Sequence, residues 1–128
     1  MSSSSLDILG RRKQVSLTTF RKDGRPVATA VWHAIDGGEV VIVTEPGSGK
    51  VKRLRNSGRV VLAPSDIRGR VPDGAPSFEG TARIVEDPEG VARIRAAIAR
   101  RYISARIGYL VNRLLRRTTD SIGIVVTL

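Results

Sequence analysis

Two tight-turn signatures, Asp23-Gly24 and Asp36-Gly37-Gly38, cut the first third of this 128-residue chain into short extended runs. Val15-Ser-Leu-Thr-Thr-Phe20 alternates with period two, which sends successive side chains to opposite faces of a strand. Lys22-Asp-Gly-Arg-Pro26 turns it back into a second strand, Val27–Ile35, so the two form a hairpin. The second turn leads into Glu39–Thr44, a third strand with a continuous apolar run. A short basic helix begins about Lys50, and Arg59-Val-Val-Leu-Ala-Pro-Ser65 is a fourth strand. Pro64 requires that this strand end, bulge or lie at an edge there.

Asp66–Pro76, with its glycines and prolines, is a loop of functional length. Ser77–Glu86 is a fifth strand. Asp87-Pro88-Glu89 starts a helix, with Asp as cap and Pro in the first turn, and Val91, Ile94, Ala97 and Ile98 follow at helical spacing. The helical pattern runs on to Arg117, with a break near Ser104 or Gly108, and Asp120–Leu128 is the last strand. Short meander turns and the lack of βαβ alternation predict a mainly β, α+β fold. The expected architecture is a six-stranded antiparallel barrel with flanking helices. Residues 11–128 form its single domain. Residues 1–10 read as a disordered tail, since Met-Ser-Ser-Ser-Ser lacks the basic and apolar segments of a signal peptide.

Aromatic residues make up only 4% of the chain, so aliphatic side chains must fill the core. The absence of cysteine excludes disulfides and thiolate metal sites, and no metal site is expected. No apolar run is long enough to span a bilayer, and the expected setting is cytoplasmic, without membrane insertion. The net charge of +10 attracts anions: nucleic acid, anionic lipid or a phosphorylated small molecule.

The stretch from Glu45 to Asn56 is the most specific of the basic segments. Pro46-Gly47-Ser48-Gly49 opens the helix, Ser48 is placed to cap it, and Gly58 sits where it ends. Lys50, Lys52, Arg53 and Arg55 add charge to a helix start that already attracts anions. Thr44 and Val51 stand where a P-loop needs Gly and Ser or Thr, so this is no P-loop. The other reading is an ordinary solvated helix, anchored by Val51 and Leu54; the glycine-rich approach argues against it.

His33, the single histidine, follows Trp32, the single tryptophan. A lone strand histidine is usually structural; as a catalytic group it would be a proton donor. No nucleophile elbow surrounds any serine, so an enzyme of this sequence needs a cofactor for its chemistry. Nucleic-acid binding is disfavoured, because Phe20, Trp32, Phe78, Tyr102 and Tyr109 do not form a stacking motif despite the many C-terminal arginines.

The segment from Leu17 through Lys22-Asp-Gly-Arg-Pro26 to Trp32 resembles the opening hairpin of the pyridoxamine 5′-phosphate oxidase-like split-barrel family. Within that family it looks closest to the branch that uses the deazaflavin coenzyme F-420. Ser48–Asn56 followed by Arg59–Asp66 resembles that branch's cofactor segment, and Phe78-Glu-Gly-Thr-Ala-Arg83 its next strand. The resemblance spans roughly Val15 to Val85. It implies a six-stranded split barrel and a homodimer with cofactor sites at the interface. It further implies that Ser48, Gly49 and Lys50 hold the cofactor phosphate, with Lys52 and Arg53 nearby. Ala30, Val31 and Trp32 would lie along the ring, and Ala63, Pro64 and Ser65 would border the site. Arg55, Arg59, Arg68 or Arg70 would meet the carboxylate tail. The implied reaction is hydride transfer to an unsaturated small organic substrate; an FMN-binding oxidoreductase or a non-catalytic flavin-binding protein is the runner-up. Haem is disfavoured with a single imidazole in the chain.

Overall fold

The computed structural model describes residues 2–10, 14–66, 70–101 and 121–128. Its elements in chain order are α1 (Ser2–Gly10), β1 (Gln14–Phe20), β2 (Pro26–Trp32), β3 (Ala34–Asp36), β4 (Glu39–Thr44), α2 (Gly49–Asn56), β5 (Arg59–Ser65), β6 (Phe78–Val85), α3 (Pro88–Arg101) and β7 (Ile122–Thr127). The helical continuation expected to Arg117 lies outside the described residues, as does Arg68.

All strand pairs are antiparallel, in the order β2-β1-β5-β6-β7-β4-β3. The two ends of that order, β2 and β3, are consecutive in sequence with only His33 between them, so the sheet curls back on itself as a barrel. Seven strands replace the expected six because Val27–Ile35 breaks at His33. There the chain leaves β1 and crosses to pair with β4.

Val15, Leu17, Val31, Val40, Ile42, Val60, Leu62, Ile124 and Val126 fill the barrel. Ile94, Ala97 and Ile98 of α3 cover Val41 and Val125 on its outside. β4 and β7 are therefore buried on both faces, which is why Val40–Thr44 reads as an unbroken apolar run. α3 starts as expected: Asp87 caps it through Oδ2, which accepts from the Gly90 amide at 2.7 Å. β5 runs through Pro64, paired with Val15 on one side, while β6 pairs only with Arg59–Leu62 on the other. Pro64 thus sits where β5 has become an edge, where a missing N–H costs nothing.

The expectation for the N-terminus is corrected. Residues 2–10 are a helix and not a disordered tail: Leu9 is completely buried in the barrel core and Leu6 packs against it. The serine run conceals this because the helix is held by packing and not by its own propensity. α2 ends just before Gly58, as expected: Ser57 is the C-cap, with its amide donating to Arg53 O. Gly58 is small because a Cβ there would stand 3.1 Å from the Ala82 carbonyl oxygen of β6.

Candidate anion site at the start of α2

α2 packs on the barrel with Val51 and Leu54 buried, Lys52 and Arg55 exposed, and Lys50 and Arg53 half-buried. Ser48 is its N-cap in backbone terms, with φ −68° and ψ 153°, but its side chain makes no capping hydrogen bond. Ser48 Oγ instead lies 3.4 Å from Thr44 Oγ1. The first-turn amides are consequently not covered by that hydroxyl, and no acidic residue occupies the first turn.

Arg53 completes this helix start. A helical side chain leans back over the turn before it, which brings Arg53 over Gly49. A Cβ at residue 49 would lie 2.9 Å from Arg53 Nη1, so a side chain there would displace the guanidinium from this position. Arg53 Nε donates to Thr19 Oγ1 at 2.6 Å, tying the side chain to β1. Lys50 shares the site: burial, followed by the charge of Arg53, holds its ammonium below the ordinary lysine range, with Glu45 opposing. Neither Lys50 nor Arg53 makes a salt bridge among the described residues. Arg55, Arg59 and Arg70, by contrast, are paired with Glu86, Glu79 and Asp66. Lys52 is exposed.

The sheet register shows where the strand residues of the expected site lie. Ala30, Ser16 and Ala63 form one row across β2-β1-β5, and Trp32, Gln14 and Ser65 form the next row on the same outer face. Val31, Val15 and Pro64 form a row on the opposite, inward face. Val31 is a core residue, 8% exposed, and its side chain belongs to the barrel interior. The outer face is narrow-sided: Ala28 and Ala30 are exposed, and Ser16 and Ala63 are small.

His33 is wholly buried, and its Nε2 donates to the Leu9 carbonyl oxygen at 2.9 Å. This geometry assigns it to anchoring α1, in place of the proton-donor role considered from sequence. Two residues that sequence reading did not single out belong to the site region: Ser16, at the centre of the outer row, and Thr19. The signal for Thr19 was present. Val15, Leu17 and Thr19 share the inward face, and a polar residue in a core position needs a partner.

A negative group of phosphate size fits this arrangement. First-turn amides not capped by Ser48 and an anchored guanidinium meet at a residue without a side chain, and the half-buried Lys50 follows it. Among the described residues no group of three or more His, Cys, Asp or Glu side chains could hold a metal ion, and no helix is long and apolar enough to cross a membrane.

The profile of the pyridoxamine 5′-phosphate oxidase family matches residues 4–119. A comparison with curated proteins finds no match. Among solved structures, the conserved hypothetical protein Rv2991 of Mycobacterium tuberculosis is similar at 28% identity and a TM-score of 0.72, covering 98% of this chain and 78% of that one. HutZ, a haem storage protein of Vibrio cholerae, shares the fold at 15% identity and a TM-score of 0.72, over 98% and 87% of the two chains. An F-420 reductase shares it at 23% identity and a TM-score of 0.64, over 94% and 90%.

Proposed function

The chain belongs to the pyridoxamine 5′-phosphate oxidase family, and from that footing we propose that it is an oxidoreductase dependent on coenzyme F-420. The observation that carries this reading is the Arg53 guanidinium held over Gly49 at the start of α2, with the half-buried Lys50 next in the chain. Ser48, Gly49 and Lys50 would hold the cofactor's phosphate, Arg53 would neutralise it, and Lys52 would add to the field from outside. The outer row of Ala30, Ser16 and Ala63, flanked by Trp32 and Ser65, carries small side chains at its centre, and the ring would approach it from the exposed Ala30, since Ser16, Ala63 and Ser65 are buried. When bound, the deazaflavin supplies a two-electron hydride to an unsaturated organic substrate. The chain's own part is to bind and orient the ring and to shield it from water. The exposed Ala28 and Ala30 support a homodimer in which a second copy covers that face.

FMN carries a phosphate too, so the anion site alone does not favour F-420. Charge beyond that site does. A depression of about 360 Å³ beside the far end of α2 is lined by Phe20, Arg21, Lys22, Gly24, Asn56, Ser57 and Arg59, with no carboxylate in its lining. Asp23, on the same hairpin tip, is occupied by Arg25. Arg59 of this lining is paired with Glu79, which leaves Arg21 and Lys22 for the carboxylate tail of F-420; FMN, ending at its phosphate, has no such tail. A haem-binding role like that of HutZ gains nothing from His33, whose Nε2 is already bonded to Leu9 inside the protein.

The decisive measurement is a fluorescence titration of the purified protein with F-420 and with FMN at moderate salt. Micromolar F-420 binding, weakened in Lys50→Ala and tighter than that of FMN, supports the reading. Tight, salt-sensitive binding to oligonucleotides with neither flavin bound would sink it.

A further inference from the structure

Thr19 is a polar residue in the third inward position of a strand whose first two, Val15 and Leu17, are core. It is 1% exposed, and its hydroxyl oxygen accepts the Arg53 Nε–H at 2.6 Å across 34 residues of sequence. An arginine on an eight-residue surface helix would ordinarily sample many rotamers. This one is pinned at Nε. With Nε held, the terminal nitrogens lie beside Gly49: Nη1 and Nη2 are 2.9 and 3.7 Å from where a Cβ would be.

We propose that Thr19 is a positioning residue for the anion site: from inside the barrel, its hydroxyl aims the Arg53 guanidinium at the first turn of α2. This rests on the cofactor-binding reading only for the identity of the anion. β1 is then more than a neighbour of the site. It carries Ser16 on its outer face, in the row with Ala30 and Ala63, and Thr19 on its inner face, holding the cation. One strand therefore sets both the surface for a ring and the direction of the charge that receives its phosphate. A threonine in this position contributes no contact to any ligand, yet it fixes how much of Arg53's charge the ligand meets.

The test uses Thr19→Val, which keeps the shape and removes the acceptor, and Thr19→Ser, which keeps the acceptor. The full chain is titrated with inorganic phosphate, following the Gly49 and Lys50 amide resonances, and with F-420 by fluorescence. Thr19→Val should weaken both about tenfold, the scale of one hydrogen bond to a charged group, while Thr19→Ser stays close to wild type. The Arg53 Nε–H resonance should be slow to exchange in wild type and lose that protection in Thr19→Val. In an Arg53→Ala background, Thr19→Val should change the affinities no further. Arg53→Lys, which keeps charge without the planar fork, should reproduce the loss, and it reports even where Thr19→Val is too unstable to titrate. Unchanged phosphate affinity in a folded Thr19→Val, an additive loss in the double variant, or no phosphate response in wild type would each overturn the proposal. A Thr19-dependent phosphate response without binding of F-420 or FMN would retain the positioning role and remove the cofactor reading.

Discussion

His33 and Leu9 stand 24 residues apart in sequence and are joined by one buried hydrogen bond, in which the imidazole Nε2 donates to the leucine carbonyl oxygen at 2.9 Å. The acceptor is one of the last carbonyls of α1, which has no partner within its own helix. The adjacent Gly10 carbonyl oxygen accepts from Arg101 Nη2 at 2.6 Å. Two side chains thus end α1: His33 fastens it to the barrel where β2 gives way to β3, and Arg101 fastens it to α3.

His33→Ala should therefore act on stability. It removes a fully buried ring and leaves the Leu9 carbonyl without this donor, a combined cost of about 2–4 kcal/mol. Urea unfolding measures it, and a loss below about 1 kcal/mol would contradict the anchoring role. Under conditions where the variant is folded, its affinity for F-420 should match wild type.

Gly49→Ala separates binding from folding. Alanine within a helix is favoured over glycine by about 0.5–1 kcal/mol, so the variant should melt no lower than wild type unless the Arg53–Thr19 bond is lost with it. The new methyl group takes the space of Arg53 Nη1, and anion affinity should fall about tenfold. Binding titration beside a thermal melt distinguishes the two effects. Retained affinity would show that the guanidinium is not part of the site.

Lys50 should give anion binding an alkaline limit. Its folded-state pKa lies below the unfolded value of 10.5 because burial disfavours the charged form. Between the two values the unfolded chain holds more protons, so stability should rise with pH across that window. Anion binding needs the ammonium and should fall over the same window. Opposite slopes in a melting series and a binding series, both lost in Lys50→Met, are the expected outcome. At neutral pH, Lys50→Met should weaken F-420 binding roughly 10- to 100-fold.

Glu39 governs the acid limb. Hydrogen bonds from Arg83 and from Thr127 Oγ1, together with the Arg83 charge, hold its carboxyl below the usual range. The stability this supplies is complete above the unfolded pKa and disappears as pH falls through the lower folded value. Arg83 is exposed and Glu39 half-buried, so solvent screens the pair and its share is about 1 kcal/mol or less. Glu39→Gln should lower the urea midpoint at pH 7 and should match wild type below the folded pKa.

Alternation and turn chemistry made the barrel legible from the sequence. Asp23-Gly24 does form the hairpin, with Gly24 at φ 90°, and Asp87 does cap α3. The break at His33 was not legible, because a strand that changes partners carries no local signal; only the three-dimensional path separates β2 from β3. α1 was hidden for a related reason, since Leu9 is helical through packing against residues far along the chain. In the site, the charges at Lys50 and Arg53 were visible in sequence, but Thr19 was not assigned because its partner lies 34 residues away. Val31 shows the converse. Its position on β2 was readable, but the face it uses depends on the register with β1.

β7 is the seventh strand in chain order, yet it lies inside the sheet, between β6 and β4. During synthesis every other strand leaves the ribosome first, and until Ile122–Thr127 follows, β4 and β6 have no common neighbour. The nascent chain therefore waits with two open edges, the apolar β4 and the alternating β6, a state exposed to wrong pairing between chains. The insertion of β7 joins them in one step, late and over long sequence separations, which is the slow kind of closure. For this barrel, the hazard of misassembly is concentrated in the interval before its seventh strand is made.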